Sequence, residues 1–297
     1  MPSFWGLGPG AWCLGRWGGA LRSPGPSGPG AIAPPFRVRE APWGRVLECI
    51  PLAEVAAHAF TTRDVDFKPG GHENLQAWRG LAQHLGARPD RVSWPRQVHG
   101  ASVAAFRRDD GPGGGDGRPE ADIVISDDPG RVIAVQIADC VAMLLADRRT
   151  GAVGAAHAGW RGSAQGVARV AVAAMRAHFG TDPHDVVVAM GPSIGACCYE
   201  VGEEVRRAFE QADGHGTAVA SWFSGSDAGR ARLDLWRANR DQLVSVGVPP
   251  AQIHVAALCT STRRELFFSY RAEGARAGRM AAAIRAGTVR WGQGRSR

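Results

Sequence analysis

Lysine is all but missing. Lys68 is the single lysine among 35 basic residues in a chain of 297, and the rest are arginine. A formal charge of +7 would suit a polyanionic partner. The arginines are scattered, however, with no basic run and no basic patch interleaved with aromatics, so the footprint that neutralises several phosphates together is lacking. No nucleic acid is expected as a partner, and the arginine excess reads as a coding bias. Also lacking is any run near the roughly 18 apolar residues of a membrane span, which argues against a membrane. The six cysteines, Cys13, Cys49, Cys140, Cys197, Cys198 and Cys259, make no disulfide framework. A chain of this size can close its own core, and the adjacent Cys197 and Cys198 do not easily bridge each other. A reduced, cytoplasmic setting follows. Several signatures are absent too. The glycine-rich stretch 109–117 lacks the Gly-Lys-Ser/Thr ending of a phosphate loop. No Gly-x-Gly-x-x-Gly follows a strand pattern, and no repeat of 20–50 residues is visible.

Hydrophobic content of 44% and charged content of 21% are those of an ordinary globular protein. Residues 1–45, rich in Gly, Pro and Trp and without periodicity, read as a disordered leader. Gly and Pro interrupt every stretch that could serve as a signal peptide. Residues 46–286 read as the folded domain and 287–297 as a basic tail. Within the domain, Leu75, Trp78, Leu81, Ala82 and Leu85 fall at helical spacing, as do Val167, Val170, Ala171, Ala174, Met175 and His178. Gly202–Gln211 reads as a helix, and Asp234 caps another that Gly247 ends. Strands are expected at Val103–Phe106, Val186–Met190 and Ile253–Leu258, with Ser221–Arg230 as a loop. Strands and helices alternate irregularly, which points to an α/β (α+β) fold of mixed sheets covered by helices.

The densest chemistry lies in Val132–Gly162. Three short apolar runs, Val132–Ile137, Val141–Ala146 and Ala152–Ala156, deliver Asp139-Cys140 and then His157 to strand ends along a hairpin-like path. His99, Cys140 and His157 are N/S donors of the kind that hold Zn²⁺ with a fourth position open. Their spacings match no short structural-zinc pattern, so spacing by itself favours buried, hydrogen-bonded histidines over a metal site. A third reading makes Cys140 a nucleophile, His157 its base and Asp139 the orienting group. Asp139 also fits a second ring of metal contacts, a general base, or a simple turn aspartate. Arg63, Arg96 and Arg161 adjoin polar motifs and suit phosphate binding. The zinc cytidine deaminase signature is absent, since Gly100-Ala101 follows His99.

Six blocks occur in order: Arg96-Gln97-Val98-His99-Gly100, Ala138-Asp139-Cys140, Ala156-His157-Ala158-Gly159-Trp160-Arg161-Gly162, the stretch Gly191–Gly202, Cys259-Thr260, and Phe267-Phe268-Ser269-Tyr270-Arg271. Together they resemble the YfiH/laccase-domain family of purine nucleoside phosphorylases over about residues 46–286. The resemblance implies a YfiH-like four-layer αββα arrangement, with mixed β-sheets sandwiched between helices. It implies a zinc on His99, Cys140 and His157, and phosphorolysis of adenosine, inosine, guanosine and methylthioadenosine together with adenosine deamination. Purine nucleosides and inorganic phosphate are then the partners, and a homodimer stays open. Where the family commonly has Thr-Ala-Asp-Cys-Ala/Pro-Pro, this chain has Ile137-Ala138-Asp139-Cys140-Val141-Ala142, a more apolar lining. Two enzymatic rivals remain. One is a Cys140/His157 hydrolase editing peptidoglycan precursors. The other is a copper-dependent polyphenol oxidase, disfavoured because about ten histidines are needed for its copper centres and the chain has nine. A structural-zinc binding module is the non-enzymatic alternative.

Overall fold

Alternation along two successive strands decides how the layers form. In Val132–Ile137, Val132 and Ala134 turn to one core while Ile133, Val135 and Ile137 turn to another. In Val141–Asp147, Val141, Met143 and Leu145 face a third core, and Ala142, Leu144 and Ala146 share the second with the preceding strand. A strand buried on both faces must be covered on both, so two sheets stack on each other and each carries helices outside.

The computed structural model describes residues 32–68, 71–108, 110, 118–212, 214–227 and 230–287. Its strands are β1 (Phe36–Ala41), β2 (Gly44–Cys49), β3 (Ala57–Thr61), β4 (Val92–Ser93), β5 (Val103–Phe106), β6 (Ile123–Ser126), β7 (Val132–Ile137), β8 (Val141–Asp147), β9 (Val153–Ala158), β10 (Val186–Met190), β11 (Glu200–Gly202), β12 (Phe223–Asp227), β13 (Arg230–Leu233), β14 (Ile253–Val255) and β15 (Met280–Arg285). The helices are α1 (Ile50–Ala53), α2 (Gly71–His84), α3 (Trp160–Ala164), α4 (Val167–Phe179), α5 (Glu203–Gln211), α6 (Leu235–Ser245) and α7 (Tyr270–Glu273). One mixed sheet runs β1-β2-β3-β15-β7-β4, the other β14-β10-β8-β9-β6-β5, and β11-β13-β12 form a small third sheet.

The sheets meet through Phe60, Ile133, Val135 and Ile284 on one side and Val124, Leu144, Ala155 and Val187 on the other. Trp78 and Leu81 of α2 cover the outer face of the first sheet against Val46, Val132 and Ala283. Val167, Ala171 and Met175 of α4, with Leu235 and Leu243 of α6, cover the outer face of the second against Ile123, Met143 and Val188. The expected four-layer αββα order is therefore present. The chain passes from the first sheet to the second between β7 and β8, at Ala138, Asp139 and Cys140. Hairpin pairing of β8 with β9 then sets Val141 opposite Ala158 and Ala142 opposite His157. That register brings Cys140 alongside His157.

Three local expectations change. Phe36–Ala41, read as leader, is a strand paired with β2 along its length, because buried Phe36 packs against Phe60 at 6.2 Å between ring centroids. Ser221–Arg230, read as a loop, contains β12. Its Ser/Gly composition hides a pairing with β13 that packs Phe223 against Phe209. Ile253–Leu258 keeps strand pairing only to Val255, since Ala257 adopts φ 51° and turns the chain. Residues 1–31 and 288–297, most of the expected leader and the expected tail, lie outside the described residues. Cys197 is disulfide-bonded, which departs from the all-reduced expectation, while Cys49, Cys140, Cys198 and Cys259 are free. No described helix is long and apolar enough to cross a membrane.

The imidazole of His58 is buried in the first sheet. Its Nε2 accepts from the Cys49 N–H at 2.9 Å, so Nδ1 carries the proton and donates to the Ala56 carbonyl at 3.1 Å. Burial pushes its pKa down from 6.5 to about 4. The unfolded chain therefore takes up this proton first, and stability falls as pH drops from about 6.5 to about 4. The full shift is worth roughly 3 kcal/mol at 1.36 kcal/mol per pH unit. Melting temperature measured across that window should fall, and His58→Gln should flatten the slope. An equally steep slope in the variant would exclude His58 as the cause.

Candidate metal centre and active site

A cavity of about 700 Å³ opens where the two sheets exchange the chain, and His99, Cys140 and His157 line it. Their donor atoms all lie within 4.8 Å of one another. The two imidazole rings stand edge to face at 4.9 Å between centroids. Cys140 reaches this point from the β7–β8 crossover and His157 from β9. His99 comes from the loop before β5, at φ 61°. A non-glycine residue in the left-handed region is uncommon and needs outside support.

Asp122 supplies that support. Its buried carboxylate accepts from the backbone N–H groups of Val98 (3.2 Å), His99 (3.0 Å) and Gly100 (2.7 Å). The same carboxylate lies 2.7 Å from Nδ1 of His157. Burial alone would raise the Asp122 carboxyl, but the His157 and backbone hydrogen bonds outweigh it and hold the pKa below its ordinary value. An ionised carboxylate only accepts, so Nδ1 of His157 carries the proton and Nε2 is left for the centre. One side chain thus fixes two of the three donors.

Burial pushes the Cys140 thiol up, yet the charge of His157 and hydrogen bonds from His157 and His99 bring it down to about 6. Burial likewise opposes charge on His157, and the Cys140 thiolate and Asp122 raise it to about 9. Without a metal the pair is a thiolate beside an imidazolium. A cation entering would displace the His157 proton. One thiolate and two imidazoles, one of them backed by a carboxylate, form a donor set that suits a borderline-soft divalent ion.

Two glycines make room for this arrangement. A Cβ on Gly159 would sit 3.0 Å from the Cys140 sulfur and 3.4 Å from the His99 ring. A Cβ on Gly162, in α3, would come within 2.7 Å of the Gly100 carbonyl oxygen and push away the loop that carries His99. The Gly-Trp-Arg-Gly spacing is a requirement of close packing around the three donors.

Asp139 lines the cavity, but both of its oxygens are engaged. Oδ1 accepts from the Thr260 hydroxyl and Oδ2 from the Arg271 backbone N–H, each at 2.6 Å. With φ at 84°, Asp139 anchors the crossover to Thr260 and α7. The group that orients His157 is Asp122, not Asp139 as the nucleophile reading had it, because the left-handed turn at Asp139 directs its side chain toward Thr260.

The three arginines read from the sequence part company. Arg161 lines the cavity with its guanidinium 4.3 Å from the centre of the Trp160 ring. Arg96 lines it too, ion-paired to Glu120. Arg63 is absent from the lining. It pairs with Glu273 at 3.1 Å, donates to the Arg264 carbonyl and lies over Phe268 at 4.9 Å. Sequence reasoning missed Asp122, Arg118, Tyr199, Arg271 and Arg279. The signals available were the places of Tyr199 and Arg271 inside the stretches Gly191–Gly202 and Phe267–Arg271. Asp122 precedes a strand and had none.

Residues 67–287 match the family model described as multi-copper polyphenol oxidoreductase laccase. The chain belongs to this family. It is similar to a purine nucleoside phosphorylase from Bacteroides thetaiotaomicron, 40% identical over 55% of this chain and 60% of that protein. The chain thus spans less than two thirds of that relative's length. It is also similar to purine nucleoside phosphorylase YlmD from Geobacillus stearothermophilus, 38% identical over 69% of this chain and 76% of the relative. Adenosine deaminase RL5 from an unknown prokaryotic organism is 37% identical over 69% of this chain and 79% of its own. The crystal structure of YlmD superposes with a TM-score of 0.75 at 32% identity, covering 84% of this chain and 99% of YlmD. A laccase-family chain is expected to carry a metal, and the His99, Cys140 and His157 cluster can hold one.

Proposed function

We propose that this chain is a zinc-dependent purine nucleoside phosphorylase that also deaminates adenosine, working in the cytoplasm on nucleosides and inorganic phosphate. The observation that carries the reading is the convergence of His99, Cys140 and His157 on a cavity walled by arginine side chains. Relatives named for phosphorolysis and deamination support the same chemistry. When bound, zinc supplies a Lewis acid and lowers the pKa of a water toward about 7. The residues of this chain supply the rest. Asp122 holds His157 and the His99 loop in the ligating geometry. Arg161 and Arg271 take the phosphate that attacks C1′ as the purine leaves, and their charge stabilises the anion while positive charge builds on the ribose. Asp139 acts as a positioning residue, tying Cys140 to Thr260 and Arg271. Arg63 takes no part in it, since its guanidinium is paired with Glu273 and does not line the cavity.

A second reading has one specific observation in its favour. Asp122, His157 and Cys140 also form the hydrogen-bonded order of orienting acid, base and thiolate that a cysteine hydrolase uses. A thiolate held by a metal is unavailable for attack, so the two readings exclude each other.

Metal analysis of the purified protein, with adenosine turnover in the presence and absence of phosphate, separates them. One zinc per chain is expected, with adenine and ribose-1-phosphate appearing only with phosphate, inosine appearing without it, and a chelator abolishing both. Metal-free protein that remains active would overturn the zinc reading and favour the hydrolase. Copper at one per chain with phenol oxidation would favour the oxidase.

A further inference from the structure

The cavity holds more positive charge than one phosphate requires. Asp139 is the only carboxylate in its described lining, and both of its oxygens are engaged. Against it stand Arg96, Arg118, Arg161, Arg271 and Arg279. Arg96 is ion-paired to Glu120. Among the described residues, the other four form no ion pair with a carboxylate. Like charges gathered on low-dielectric walls repel one another unless an anion lies between them.

These four guanidiniums are also held in a common way. Arg161 lies over Trp160 at 4.3 Å and Arg271 over Tyr199 at 5.2 Å. Arg118 lies over Trp94 at 5.8 Å and Arg279 over Tyr270 at 5.9 Å. An aromatic ring against the guanidinium face holds its plane and lowers the entropy lost on binding. Nη1 of Arg271 donates to the Glu200 carbonyl at 2.9 Å, so in Arg271 and Arg279 it is the Nε and Nη2 edge that can fork onto an anion. Arg279 is further fixed by donating to the carbonyls of Ala277 (3.1 Å) and Gly278 (3.0 Å).

The four divide by connectivity. Arg161 follows His157 within one glycine-punctuated turn, and the Arg271 backbone is bonded to Asp139 beside Cys140. Those two belong to the metal side and suffice for the reacting phosphate. Arg279 is tied by its backbone to Asp66 and Phe67, and the Arg118 guanidinium lies over Trp94. Neither residue is itself hydrogen-bonded to the donor triad or to Asp139, and the cavity is large enough for a ligand that reaches both pairs.

We propose that Arg118 and Arg279 form a second anion subsite that takes the 5′-phosphate of a nucleoside monophosphate. The proposal rests on the nucleoside reading of the cavity and extends it. The site would hold a purine nucleotide, with its base and ribose toward the metal side and its phosphate on the outer arginines. Binding requires no covalent step.

Initial rates of the metal-loaded full chain at saturating inorganic phosphate, giving the apparent affinity for adenosine from its KM and that for adenosine 5′-monophosphate from its competition with adenosine, test this. The monophosphate is expected to bind at least tenfold more tightly than adenosine, with phosphate present. Arg118→Ala together with Arg279→Ala should bring the two ligands within about threefold while moving adenosine affinity by less than twofold. Arg118 is exposed, so Arg118→Ala alone provides a variant whose folding is not at risk, and it should remove at least threefold of the preference. A monophosphate no tighter than adenosine would overturn the proposal and leave the nucleoside reading standing. Loss of the preference when inorganic phosphate saturates would overturn it too, because one anion site would then serve both. Failure of both ligands to bind would instead overturn the nucleoside reading beneath it.

Discussion

Cys140→Ala is expected to purify without its metal and to lose nucleoside turnover by roughly 10³-fold or more, since a metal supplies several kcal/mol of transition-state stabilisation and each 1.36 kcal/mol is tenfold in rate. The physical case is that Cys140 is the anionic member of the donor set. Removing it leaves two imidazoles, and the charge that lifts His157 to about 9 is gone. Cys140→Ser is the informative companion. A hydroxyl is a poor zinc ligand but the geometry survives, so partial metal content and partial activity should track each other. Metal content by atomic emission, read against initial rates with adenosine and phosphate, checks both variants. A Cys140→Ala protein that keeps one metal per chain and its activity would sink the assignment of the centre. A wild-type protein that needs no metal, yet is killed by Cys140→Ser, would favour the hydrolase.

Asp122→Asn should weaken metal affinity by about 10- to 100-fold, the usual consequence of removing a carboxylate behind a ligating histidine. The mechanism is countable. The carboxylate accepts from three backbone N–H groups and from His157 Nδ1. An asparagine has one acceptor oxygen, so its amide N–H₂ must face either the His99 loop or the His157 N–H, donor against donor. The left-handed turn at His99 loses support in one case, and the proton on His157 loses its partner in the other. Competition against a chromophoric chelator at fixed pH measures the affinity. The wild-type pH dependence of that affinity should also change shape, because Asp122 no longer biases the His157 proton. A general loss of stability would not alter that shape. Unchanged affinity with an unchanged pH profile would remove Asp122 from its role.

Much of the architecture was legible in the chain. The short apolar runs Val132–Ile137 and Val141–Ala146 announce strands. The spacing of Val167, Ala171 and Met175 announces the helix that covers one of them, and the Asp234 side chain caps α6 by accepting from the Arg237 N–H at 2.9 Å, as its position led one to expect. Those signals are local, and local periodicity reports which face of an element is apolar. β12 escaped because its strand character comes from its pairing with β13, not from its own Ser and Gly residues. β1 escaped because its middle is exposed and reads as polar, with only Phe36 anchoring its start.

The candidate site divides in the same way. By itself the sequence determined the donor types and the short segments that carry them, since Cys140 and His157 stand next to runs whose pattern already makes them strands. Only the tertiary structure decided what surrounds those donors. Asp122 lies 35 residues from His157 and meets it through the pairing of β6 with β9. Arg271 reaches the cavity because its backbone N–H bonds to an aspartate 132 positions earlier. Arg63, which looked equally suited to phosphate, is drawn instead to Glu273. Periodicity within a segment fixes which way a side chain faces relative to its neighbours. Which distant side chain it meets depends on how two sheets are stacked and registered, and that is set by the packing of the whole core.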